Sequence, residues 1–155
     1  MTNTLEGGCS CGAVRYRLLS APMFIHCCHC LNCQKHTGTA FVINLLIETT
    51  RVELVSGELV ETVMPLNGGS PNTISRCSKC LIAVWSEYGR PQFRFVRAGT
   101  LDDPSAVAPD VHIYTRSKLP WVAIPDGVPQ FTEFYDRKTL WPAEALERSK
   151  AALSG

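Results

Sequence analysis

The sequence has no long apolar run and no marked excess of charge of either sign. Its longest apolar stretch, Phe41 to Ile47, is seven residues and is interrupted by Asn44, far short of the roughly 20 that span a bilayer as a helix. Met1 to Gly8 lacks both a basic region and an apolar segment and carries Glu6, so no secretory signal is expected there. Fifteen Lys and Arg against fourteen Asp and Glu leave a net charge of +1, which argues against nucleic acid or an anionic membrane as partner. Internal repeats, low-complexity segments and breaks in composition are also missing. At 155 residues, with 45% apolar and 19% charged, the chain is expected to be one globular domain with a real core. Long helical periodicity is scarce too.

What remains is short and β-rich. Val14, Tyr16 and Leu18 alternate with Arg15 and Arg17, the pattern of a half-buried strand. Met23 to Cys28, Thr39 to Ile47, Arg51 to Val55 and Glu58 to Val63 continue the series, with Ser56-Gly57 read as a tight hairpin turn. Pro65 to Asn72, with Gly68-Gly69 and Pro71, is expected as a loop. Ile82 to Trp85, Gln92 to Ala98, Val111 to Tyr114 and Gln130 to Tyr135 are further strand candidates, and Leu101 to Asp110 suits a connector with one helical turn. Only Pro142 to Leu153 reads as a helix of any length, with Pro142 at its start, Glu144 early and Lys150 late. The expected fold class is mainly β, with a short C-terminal helix.

Eight cysteines are the informative feature. Without an export signal the expected compartment is the reducing cytoplasm, where clustered cysteines hold metal more often than they form disulfides. Cys9-Ser10-Cys11 is a C-x-C and Cys77-Ser78-Lys79-Cys80 a C-x-x-C. Each can aim two thiolates at one point, and the two pairs together make a four-thiolate set for a structural zinc ion. The middle group differs. Cys28, Cys30 and Cys33 converge as three ligands with no obvious fourth partner pair. Three protein ligands and an open position make a catalytic zinc; a closed site completed by Cys27, His26, His29 or His36 is the other reading. Strand alternation sets Cys27 and His29 on the face away from Cys28 and Cys30, but leaves His26 on theirs.

With these residues placed, the chain resembles the glutathione-dependent formaldehyde-activating enzyme family, whose domain is shared with centromere protein V. The matching text is Gly8-Cys9-Ser10-Cys11-Gly12-Ala13-Val14-Arg15-Tyr16, then Cys28-His29-Cys30-Leu31-Asn32-Cys33-Gln34-Lys35-His36-Thr37-Gly38 and Cys77-Ser78-Lys79-Cys80. It continues through Ala98-Gly99-Thr100-Leu101-Asp102-Asp103-Pro104 and His112-Ile113-Tyr114 to Pro120-Trp121 and Gly127-Val128-Pro129-Gln130-Phe131. The resemblance implies a single-domain β-tent of short antiparallel sheets clamped by zinc, over residues 5–136, with 137–155 a helical tail. It implies two zinc ions, one structural on Cys9, Cys11, Cys77 and Cys80 and one catalytic on Cys28, Cys30 and Cys33. It also implies condensation of glutathione with formaldehyde to S-hydroxymethylglutathione, formally a carbon–sulfur lyase reaction in reverse. The chain departs from the family pattern after Cys80, where Leu81 stands in place of the usual glycine, and Cys27 is an extra thiol.

A zinc ion on three thiolates suits thiol chemistry, because the cation stabilises a bound thiolate and lowers its pKa while the three donors keep the sulfur nucleophilic. His112 is the expected proton donor for the adduct oxygen, since imidazole titrates near neutrality. Lys35 and Arg116 are candidate anchors for substrate carboxylates, with solvated surface charge as the simpler reading. Trp121 is expected in the core or as a pocket wall, Asp102-Asp103 as a cap, and Cys27 as a small buried hydrophobe. Two other classes remain open: a non-catalytic zinc-clamped protein-interaction module, and a thiol redox or metal-buffering protein.

Overall fold

Runs of four to seven residues become strands here because each can bury at least one face. The computed structural model describes residues 4–65 and 69–155, and within them ten strands form two sheets, accompanied by two α-helices. The smaller sheet has the order β1–β2–β5, built from Leu5–Gly8, Arg15–Leu18 and Val52–Ser56. The larger takes β3 (Phe24–Cys28), β4 (Val42–Glu48), β6 (Leu59–Met64), β7 (Asn72–Cys77), β8 (Ala83–Glu87), β9 (Phe93–Arg97) and β10 (Val111–Ile113). Its order is β10–β3–β4–β9–β8–β7–β6. Every pairing is antiparallel except that of β10 with β3, which is parallel. The expectation of a mainly β fold with a short C-terminal helix holds.

The larger sheet separates two apolar clusters. Against the smaller sheet, Val14, Tyr16 and Leu18 meet Leu45, Ile47, Val84, Trp85 and Val96. On the other side, Phe24, Leu46, Phe93 and Val111 meet Tyr135, Trp141 and Ala145. Neighbours in sequence therefore enter different cores: Phe24 and Leu46 the second, Ile25 and Leu45 the first. Burial on both faces explains why β4 reads as a nearly continuous apolar run.

Several local expectations change. Ser56-Gly57 is not a hairpin turn, because β5 pairs with β2 and β6 with β7. Gly57 instead carries the chain from one sheet to the other at φ 89°, where a Cβ would lie 2.4 Å from the Ala13 carbonyl oxygen; only glycine fits such an approach. Gln130 to Tyr135 makes an isolated bridge to His112 through Gln130, not a strand. The expected loop before β7 ends one residue earlier, since Asn72 begins the strand, and its residues 66–68 lie outside those described. An unexpected helix, α1 (Leu31–Thr37), follows β3. Trp121 is 74% exposed, neither core nor wall.

The C-terminal helix, α2 (Ala143–Ser154), follows Pro142 and buries Ala145 and Ser149. Arg148 ties it to the sheet. Its Nε and Nη2 donate to the two Glu48 carboxylate oxygens at 2.8 and 2.6 Å, and it also reaches Ser20 and the Ala21 carbonyl. Just before the helix, Trp141 stacks on Phe24 at a 5.3 Å ring separation.

Candidate functional site

The first cysteine cluster sits where the two sheets meet. Cys9 and Cys11 lie in the turn from β1 to β2, Cys77 ends β7, and Cys80 lies in the turn to β8. All four Sγ atoms are within 4.8 Å of one another. The Cys11–Cys77 separation is 3.8 Å and the Cys9–Cys11 separation 3.4 Å, too long for disulfides and close to the ~3.8 Å edge of a tetrahedron with ~2.3 Å metal–sulfur bonds. Backbone amides already serve these sulfurs: the Val14 N–H donates to Cys9 Sγ and the Lys79 N–H to Cys77 Sγ. Leu81 takes the left-handed conformation at φ 62°. The turn after Cys80 thus carries a side chain in a conformation that only glycine enters freely.

The second cluster is local, with Cys28 and Cys33 buried and Cys30 partly so. Cys28 ends β3, Cys30 is the N-cap of α1, and Cys33 lies in the first turn, its backbone N–H donating to Cys30 Sγ at 3.3 Å. Gln34 braces the helix by donating to the carbonyls of His29 and Ser117 at 2.8 and 2.9 Å. These three Sγ atoms also lie within 4.8 Å of one another. Hydrogen bonds from Cys28 and then Cys33 pull the Cys30 thiol down to about 2, while Cys28 is driven up by the same contacts with Cys30 and Cys33. Three thiolates side by side require a cation, so the donor set fits a soft or borderline divalent metal.

These thiols form part of the wall of a cavity of about 710 Å³, a size that accommodates a peptide-sized ligand. Ile113 and Tyr114 bring the end of β10 to it, Tyr88 lines it from just after β8, and Phe95 from β9. Tyr114 adopts φ 56°, the left-handed region that a tyrosine rarely enters. Burial pushes its hydroxyl up, and that of Tyr88 too, so both remain protonated donors. Arg116 is at the cavity but pairs with Glu133 at 2.6 Å, both well exposed. Lys35 is exposed and does not line it. His26 does line it, but its Nε2 shares a 2.8 Å hydrogen bond with the Tyr135 hydroxyl.

His112, the expected proton donor, is placed elsewhere. Parallel register sets it beside Cys27, and Ile113 beside Cys28, so the two β10 residues face opposite ways. His112 Nδ1 lies 2.8 Å from His29 Nε2, which in turn lies 3.6 Å from Cys27 Sγ. All three are buried. Burial pushes His29 down to about 4, with His112 and Lys118 adding to the effect, and burial raises Cys27 to about 12. The group could hold a metal by composition. Its nitrogens, however, stand at hydrogen-bond distance, closer than the ~3.3 Å of two imidazoles on one tetrahedral zinc. Asp103 caps the turn at Pro104–Ala106 as expected, but Asp102 instead takes a two-pronged ion pair from Arg15 at 2.7 and 2.5 Å.

Sequence reading missed the polar groups of the cavity. Asn44 and Asn72 line it at 4% and 1% exposure, and Asn72 Oδ1 is buried without a hydrogen-bond partner. Behind Asn44 lies Arg97, also buried, which donates from Nη1 to Asn44 Oδ1 and from Nη2 to Ser86 Oγ at 2.5 Å. The available signal was Asn44 itself, the polar interruption of the Phe41–Ile47 run.

The family model described as "Glutathione-dependent formaldehyde-activating enzyme" matches residues 4–117. A Halomonas elongata protein, named provisionally as a glutathione-dependent formaldehyde-activating enzyme, is 32% identical over 126 residues, covering 77% of this chain and 80% of its own. A crystal structure of a Rhodobacter sphaeroides protein is similar at a TM-score of 0.49 and 21% identity, covering 67% of this chain and 91% of its own. Among the described residues no helix is long and apolar enough to cross a membrane. On the family match and the Halomonas relative together, the chain belongs to the glutathione-dependent formaldehyde-activating enzyme family.

Proposed function

We propose that this chain catalyses the reversible addition of a thiol, glutathione in the first instance, to formaldehyde or a similarly small aldehyde, a carbon–sulfur lyase reaction run in reverse. The observation that carries the reading is the three-thiol wall of the cavity, which no fourth protein ligand closes among the described residues. In this proposal Cys28, Cys30 and Cys33 hold a catalytic zinc ion, and Cys9, Cys11, Cys77 and Cys80 hold a structural one. Zinc at the three-thiol site would keep a substrate thiol ionised near neutral pH.

The chain's own contribution is placement. Cys30 is fixed as a helix cap and Cys28 by a strand paired on both sides, so the thiols keep their geometry as ligands exchange. The cavity encloses the reacting atoms with Phe95 and Ile113 as apolar walls. His112, on the other face of β10, does not reach them; Tyr114 at the wall is the nearer hydrogen-bond donor. Residues 5–136 carry the activity and 137–155 serve as a helical tail on the second core. A reducing compartment such as the cytoplasm suits seven working thiolates.

The test is the exchange rate of glutathione and formaldehyde with their adduct at equilibrium, followed by magnetisation transfer. Acceleration by the protein, lost in Cys33→Ser together with one equivalent of zinc, is the expected result. Full turnover in a Cys33→Ser protein that has lost that equivalent would overturn the proposal.

A further inference from the structure

We infer that Asn44 is a catalytic residue, donating from its side-chain amide to the oxygen that becomes negative when sulfur adds to the aldehyde, and that Arg97 is its positioning residue. The inference rests on the proposed function and names a part of that site which the cysteines do not supply.

The chemistry of the donors fixes the amide's orientation. Arginine has five N–H donors and no acceptor, so the asparagine atom that meets Arg97 Nη1 is the oxygen. The Asn44 NH₂ group must then point away from Arg97. Asn44 lines the cavity, where that NH₂ group can meet a bound ligand. A charged donor on Oδ1 also polarises the amide and makes its N–H groups better donors.

Arg97 is a buried cation whose side chain is held by two neutral groups, Asn44 and Ser86. It is 6% exposed, no carboxylate pairs with it among the described residues, and its Nε is buried without a partner. A guanidinium in such a place is costly. Ser86 holds its second prong, and its first rests on Asn44, which lines the cavity.

Register supplies the geometry. Cys28 pairs with Val42 across β3 and β4, and Asn44 lies two residues further along the same face, opposite His26. Such diagonal neighbours are about 7–8 Å apart, which sets the Asn44 amide beside the thiol cluster on the same face of the sheet. Asn72, which lines the same cavity from β7, has a buried Oδ1 with no partner, a second polar group there available to a ligand.

In the step, the sulfur lone pair forms the C–S bond and the carbonyl π pair moves onto oxygen. That oxygen accepts from Asn44 and then takes up a proton from solvent, equal to the one the thiol released. Nothing is oxidised or reduced. The reverse step returns both electron pairs.

Asn44→Asp tests this without dismantling the Arg97 contact, because the carboxylate still accepts from the guanidinium but offers no donor. With glutathione and formaldehyde as probes, kcat is expected to fall about 100-fold or more, with KM, zinc content and melting temperature close to wild type. Asn44→Ser, smaller and still a donor, should recover part of the loss. If wild type turns over and Asn44→Asp keeps kcat within about three-fold, the inference falls while the proposed function stands. If wild type gives no thiol–aldehyde exchange, the proposed function falls and takes the inference with it.

Discussion

The two cysteine clusters use the same side chain and sit on opposite sides of the larger sheet. Cys9, Cys77 and Cys80 pack against the first core, Cys28, Cys30 and Cys33 against the second. The first cluster gathers residues up to 71 positions apart from the turns of two hairpins in different sheets. The second spans six consecutive residues of one strand end and one helix start. Closing a long loop restricts the unfolded chain far more than closing a short one. Under the proposed zinc assignment the first cluster acts as an architectural tie, whereas the second is a local feature of one strand end and one helix start. The second also opens onto the cavity, and the first does not.

Paired substitutions probe this contrast with the largest expected effects. Cys77→Ser should leave the domain unfolded or insoluble by circular dichroism, because structural zinc contributes on the order of 10 kcal/mol, comparable to a domain's whole stability. Cys30→Ser should abolish thiol–aldehyde exchange yet move the melting temperature by no more than about 5 °C. Equal loss of fold in both variants would erase the distinction.

A smaller effect tests whether the second core also depends on its tail. Removing Arg148 leaves Glu48, whose side chain is 8% exposed, short of its main partner; Arg148→Ala should cost about 3 kcal/mol in denaturant unfolding. Burial pushes the Glu48 carboxyl up, but the Arg148 hydrogen bonds and charge, joined by a backbone N–H and the charge of Arg51, together outweigh it and hold the group below its ordinary value near 4.5. The unfolded chain therefore binds this proton more readily than the folded one. The pair's stabilisation is complete above the ordinary value and disappears as pH falls through the lowered one. Arg148→Ala should flatten that part of the pH–stability curve, and an unchanged slope would count against the docking role.

The smallest expected effect lies at the first cluster and has the opposite sign. Leu81→Gly relieves a left-handed leucine that is 58% exposed. It should raise stability by roughly 0.5–1 kcal/mol, the left-handed penalty less glycine's added chain entropy. A fall in melting temperature would mean that the leucine side chain contributes packing.

How much of this was legible in the sequence follows from what each feature depends on. The alternation at Val14–Leu18 and the spacing of Cys9, Cys11, Cys77 and Cys80 are local facts, and the structure brings both together as read. β1 was missed because Gly7 and Gly8 carry no strand propensity; Gly7 is there so that the Thr100 carbonyl and the Tyr16 ring can approach within 3 Å of where a Cβ would stand. The helix after Cys30 is seven residues long and capped by a thiol, which no ordinary cap pattern flags. The Ser56-Gly57 turn looked like a hairpin because turn chemistry records a reversal, not which strand is waiting beyond it. His112 was read from its chemistry alone, while its facing was settled by register with β3. Asn44 stood in plain view as a break in an apolar run, but its meaning required Arg97, 53 residues away.

Stepwise metal removal tests the division between the clusters most directly. Purified protein is titrated with a zinc chelator while zinc content, glutathione–formaldehyde exchange and circular dichroism are followed on the same samples. The account predicts two equivalents of zinc at the start, with the first lost together with all activity at unchanged secondary structure, and the second lost only with unfolding. Activity that survives loss of the first equivalent, or a fold that survives loss of both, would contradict it.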